Sequence, residues 1–167
     1  MKTYLVGVPL LCLAAVVQST VLTHFHFYSG TPDLVLLMVL SWTLTGDSLG
    51  GIGWGFLGGL CLDLLSGGPL GATPLGLTLM AYFASLTEGR FWGSHILLPL
   101  AIALLSSVGF HLVSLVSLSV TGYLVDWAVS LAQVVLPSAL LNTFLMLPVY
   151  YALRWVHAQV YPPEVVA

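Results

Sequence analysis

Residues 55–71 read GFLGGLCLDLLSGGPLG, a run apolar enough to lie in lipid, dense in glycine, and carrying one carboxylate, Asp63. In water such a helix would be weak, because each interior glycine costs roughly 1 kcal/mol relative to alanine. In lipid that penalty matters less, since backbone outside a helix would leave its polar groups without partners. Gly51, Gly55 and Gly59 recur every four residues and so line one helix face. Small-residue faces let two backbones approach closely, so the run is expected to be the most tightly packed helix of a membrane bundle. The face would serve either internal packing or a groove for a partner's helix.

The composition agrees with a membrane setting. Of 167 residues only 5% are charged and 59% are hydrophobic, and mean hydropathy is +1.05. A soluble domain carries about a quarter of its residues as charges, so this chain could not coat a water-facing surface. Lysine and arginine total three, which leaves no basic patch and excludes nucleic acid as a partner. The apolar runs are too long for barrel strands and lack strict alternation, so the spans are expected to be helices.

Punctuation by glycine, proline and charge divides the chain into a single transmembrane domain, 1–167, with six spans at about 4–22, 34–45, 49–65, 74–88, 96–120 and 129–156. Pro137 and Pro148 should bend the last. The first span has the lysine-then-apolar layout of a signal peptide. It is long for that role and no small-x-small site closes it, so it is expected to remain. Lys2, Arg90 and Arg154 all fall on the cytoplasmic side if both termini are inside, which predicts that topology. Trp92, Tyr123, Trp127, Trp155 and Tyr161 fall near the expected interfaces, as aromatic belts do.

Asp63 lies about 21 Å into a core about 30 Å thick, counting about 1.5 Å per residue from Leu49. A carboxylate at mid-membrane costs about 2.5–3.5 kcal/mol on insertion scales, so it should face the bundle and find a partner. Gln18 and His111 lie at similar depth, and Thr78 and Gln133 a few residues in from the same side. Together these predict a buried polar layer in the outward third. Ser107, His111, Ser114 and Thr121 add a polar seam on the fifth span. Two readings of the layer stand: hydrogen-bonded glue between helices, or a cavity open to the outside.

Chemistry finds little support. Gly53-Trp54-Gly55-Phe56-Leu57-Gly58 matches a dinucleotide fingerprint in letters only, since no strand precedes it. Neither the zinc-protease nor the G-x-S-x-G serine signature is present. Asp63 and Asp126 could form an acid/base dyad in principle, but Asp126 reads as a solvated loop charge. His24 and His26 read as exposed polar residues, and Cys12 and Cys61 as small packing residues outside any disulfide or metal site. The chain is therefore expected to be non-enzymatic, with no metal and no cofactor.

Gln18-Ser19-Thr20-Val21-Leu22, then Thr31-Pro32-Asp33-Leu34, then Gly55 to Leu65 and Pro69-Leu70-Gly71 give the first ninety residues a resemblance to the MreD family of rod shape-determining proteins. Pro32, Asp33, Pro69 and Gly71 are its motif positions here; the last seventy residues resemble it in hydropathy and in their long, proline-bent spans. The resemblance implies a bacterial plasma-membrane scaffold that binds MreC, a single-pass protein. It further implies work beside RodA, a class B penicillin-binding protein and, indirectly, the MreB filament in lateral peptidoglycan synthesis. The family also resembles the six-helix substrate-binding subunits of energy-coupling-factor transporters, which implies an alternative: a vitamin-type binding subunit.

Overall fold

The structure, a computed structural model, describes residues 2–22, 29–66, 70–87 and 96–161, with side chains from residue 5 onward. His24, His26, Pro69, Arg90 and Trp92 lie outside the described residues. The chain forms helices α1 (Lys2–Thr20), α2 (Leu34–Leu44), α3 (Ser48–Ser66), α4 (Ala72–Ser85), α5 (Leu97–Val120) and α6 (Trp127–Val160), and no strand among the described residues. Helices α3, α5 and α6 are long and apolar enough to cross a membrane.

Side-chain register fixes how the helices run. Gly7 of α1 sits under Trp54 of α3, Leu11 against Gly58, and Cys12 beside Cys61, so α1 and α3 are parallel. Gly51 faces Thr43 and Gly58 faces Val35, which makes α2 antiparallel to α3. Gly55 faces the Leu77–Thr78 backbone and Gly59 faces Pro74, so α4 is antiparallel as well. Gly76 of α4 meets Phe110 and Gly109 meets Met80, which turns α5 back again. Helix α6 runs with α2, pairing Asn142 with Asp33 and His157 with Trp42. The six helices thus alternate in direction, and α2 begins well inside the bundle, level with Asn142 in the middle of α6.

Helix α2 is the hub. Its 11 residues rise only about 16 Å, well short of a hydrocarbon core of about 30 Å. Every residue from Val35 to Thr43 is buried, and the helix touches all five others. Apolar residues on every side are what an enclosed helix requires. Because protein and not lipid surrounds it, its ends need not reach the interfaces. Enclosure and close packing are thus separate properties: α2 is the enclosed helix, while the glycine-rich α3 makes the closest backbone approaches. Helix α3 packs closely on α4 but turns Leu49, Phe56, Leu60 and Leu64 outward. At the hub, Trp42 and Trp54 stack with ring centroids 4.2 Å apart.

Helix α6 exceeds its expected span at both ends. It is α-helical over Trp127–Ser130, widens to a π turn at Leu131–Val135, and resumes over Leu136–Val160. The cause is Pro137, which has no N–H for the Gln133 carbonyl four residues earlier. That carbonyl accepts instead from Ser29 N–H at 3.2 Å, tying the segment before α2 to α6.

Candidate functional site

The entry to α2 carries a cluster of polar side chains drawn from four helices. Asn142 of α6 is its centre. Its Oδ1 accepts from the Asp33 backbone N–H at 2.7 Å, and its Nδ2 donates to Asp33 Oδ2 at 3.0 Å and to Ser107 Oγ at 2.8 Å. Both amide hydrogens and the amide oxygen are thereby used, and the residue is fully buried. Ser138, one turn away, accepts from Thr31 N–H at 3.1 Å. A short polar segment can lie at this depth because the N–H groups of Ser29, Thr31 and Asp33 each find a side chain or carbonyl on α6.

Gln18 of α1 completes the cluster. Its Oε1 accepts from Val35 N–H at 2.9 Å, and its Nε2 approaches Asp33 Oδ1 at 3.4 Å. Asp33 occupies the N-cap of α2 but makes no side-chain cap bond there. Gln18 supplies the cap from another helix, and the Asp33 carboxylate sits at the positive end of the α2 dipole.

His111 of α5 faces the Ser107 carbonyl with Nδ1 at 2.8 Å, so that nitrogen carries a proton. Its Nε2 lies 3.5 Å from Asp33 Oδ2. The hydroxyl of Ser107 is held by Asn142 and not by His111, so the two do not form a nucleophile–base pair.

Of the expected layer, the cluster brings together Gln18 and His111. Asp63 is elsewhere: 3% exposed, it accepts from Gly71 N–H at 2.6 Å. Gly71 is the N-cap of α4 at φ +97°, a left-handed turn, so Asp63 fixes the α3–α4 connection and faces the α4 dipole. The carboxylate in the glycine-rich run is thus a loop clamp. The Thr78 hydroxyl is buried without a partner beside Gly55, and Gln133 is exposed near the top of α6. On the serine seam, Ser114 and Thr121 bond carbonyls four residues back in α5 and bridge no helices. Asp126 caps the first turn of α6 through Val129 N–H at 3.1 Å.

Asn142 and Ser138 escaped sequence reading. Asn142 is the one amide in the middle of an otherwise apolar stretch, at the depth of His111, and that was the available signal. Asp33 was found only as a motif position. The three glycines face α2 and α4 within the chain: a Cβ on Gly55 would come within 3.0 Å of the Leu77 backbone, and one on Gly59 would overlap that of Pro74.

Beside the cluster, a recess of about 410 Å³ opens between α1 and α3, lined by Gln18, Ser19, Thr31, Leu62, Leu65 and Ser66. No group of three metal-ligating side chains converges among the described residues. Fold and site together define a helical membrane protein whose buried polar groups fasten helices to one another. The family model for the rod shape-determining protein MreD matches residues 1–156, and the chain belongs to that family, whose role is in rod shape determination. No solved structure matches it.

Proposed function

We propose that this protein crosses the bacterial plasma membrane six times, both termini cytoplasmic, as a non-enzymatic scaffold of lateral peptidoglycan synthesis. It holds the transmembrane helix of a single-pass partner, MreC, and through it supports RodA and a class B penicillin-binding protein, with MreB coupled indirectly. The family match carries this reading. The alternating helices support six crossings, since α2 and α4 can cross as enclosed or leaning partners of the three long helices.

The glycine face is not free for the partner, because α2 and α4 cover it. The partner's helix must instead meet an outward surface. Co-purification of MreC from a detergent extract, and rounding of cells on depletion, test the scaffold; a preparation that never retains MreC and cells that stay rod-shaped overturn it. The alternative of a small-molecule-binding subunit rests on the recess at Gln18, since α2 fills the centre. A ligand retained through purification and lost on Gln18→Ala would favour it.

A further inference from the structure

Around the hub α2 the other helices stand in the order α1, α3, α4, α5, α6, each packing on the next. Helix α4 is the shortest of these five. Its 14 residues rise about 21 Å, against about 36 Å for the 24 residues of α5 and a hydrocarbon core of about 30 Å. The two share a level: Gly76 meets Phe110 and Val113, and Gly109 meets Met80, so the middle of α4 faces the middle of α5. Helix α5 therefore overhangs α4 at both ends, where its Leu97 and Val120 are exposed. Unlike α2, α4 is not enclosed. Leu75, Tyr82, Phe83 and Leu86 form an exposed stripe along its outer face and the turn that follows it.

The chain just beyond each end of α4 is neither helical nor covered. Leu70 and Gly71 are exposed, and Gly71 stands in a left-handed turn with open space around it. At the other end Leu86 is exposed, the hydroxyls of Ser85 and Thr87 fold back onto helix carbonyls, and Glu88 follows in the sequence. Irregular backbone open to lipid is not tolerated within hydrocarbon, so both ends of α4 must meet headgroups or water. Resting on the six-crossing reading, we infer that α4 is a contact surface for a thinned bilayer: the hydrocarbon narrows there to about 21 Å, while along α5 and α6 it keeps its full depth. Lipid, and not another helix, suits this face. Its small residues Gly76, Ala81 and Ala84 are buried, and the exposed side chains are large, leaving no seat for a second backbone at close range. Compressing long acyl chains costs free energy that short chains do not incur, so the α4 flank selects short-chain phospholipid.

The test places a fluorophore on single cysteines at exposed positions of full-length chains cleared of Cys12 and Cys61: Leu75→Cys and Phe83→Cys on α4, Leu105→Cys on α5 and Phe144→Cys on α6. Each chain is reconstituted into 18-carbon phosphatidylcholine mixed with brominated phosphatidylcholine of 14, 18 or 22 carbons. Quenching then reports which chain length occupies the lipid shell at that helix. The α4 labels should favour the 14-carbon lipid several-fold over the 22-carbon one, and the α5 and α6 labels should show no such preference. A single preference shared by all four labels would overturn the thinning while leaving the six crossings intact. Quenching at Leu105 and Phe144 but none on α4 would do the same, because protein would then cover the stripe. No quenching at any label would remove the membrane reading and the proposal together. Two labels on each flank keep the comparison readable if one variant folds poorly.

Discussion

Asn142 and Asp63 illustrate two ways of burying polarity, and substitution should separate them. Asn142→Ala leaves the Asp33 N–H, the Asp33 carboxylate and the Ser107 hydroxyl short of a partner at once. Unmet buried groups cost about 1–3 kcal/mol each in water-soluble proteins, and membrane interiors average less per bond. A clear drop in thermal midpoint in detergent is expected. Asp63 needs only an acceptor for Gly71 N–H. Asp63→Asn keeps that oxygen and should preserve folding and rod-shape complementation, whereas Asp63→Leu should lose folded yield. If Asp63→Asn folds but fails to restore rods, the charge matters in its own right and the loop-clamp account is incomplete. Gly71 stands at φ +97° with open space around it, so Gly71→Ala should cost only backbone strain, about 1 kcal/mol.

Among the helices, the α3–α4 seam makes a graded expectation. A methyl on Gly59 meets the Pro74 backbone, which cannot rotate away, whereas one on Gly55 meets the Leu77 backbone at 3.0 Å and needs a shift of only tenths of an ångström. Gly59→Ala should therefore destabilise by about 1–3 kcal/mol, and Gly55→Ala by less, in thermal unfolding or protease resistance. Equal tolerance of both would contradict the seam. The helices themselves were legible in the sequence, because lipid permits no other backbone and glycine, proline and charge mark their ends; each expected span contains one helix. What the pattern could not convey was which helix is central. Glycine spacing reveals close approach, but enclosure shows itself in the absence of any polar face, as in Leu34–Leu44. The π turn was equally hidden, since Pro137 announces a bend but not where its orphaned carbonyl will find a donor.

The whole molecule shows why the polar layer was only half readable. Depth counting places residues along the bilayer normal and says nothing about rotation, so it put Gln18 and His111, which both approach Asp33, in one layer with Asp63, Thr78 and Gln133, which do not. Topology can be checked at the same scale. Single cysteines placed at Tyr123 and at Trp155, in a chain cleared of Cys12 and Cys61, should label from opposite sides of the membrane with an impermeant maleimide. Labelling of both from one side would end the six-crossing reading.

The central position of α2 has a bearing on biogenesis. Its anchoring bonds run from Asp33 to Asn142, a separation of 109 residues, so they cannot form until the ribosome has delivered the final helix. Until then an 11-residue segment too short to cross lipid must wait beside the translocon or among its first neighbours. Chains truncated before residue 127 should accordingly be degraded and not accumulate as shortened bundles, making the protein an all-or-nothing product of translation.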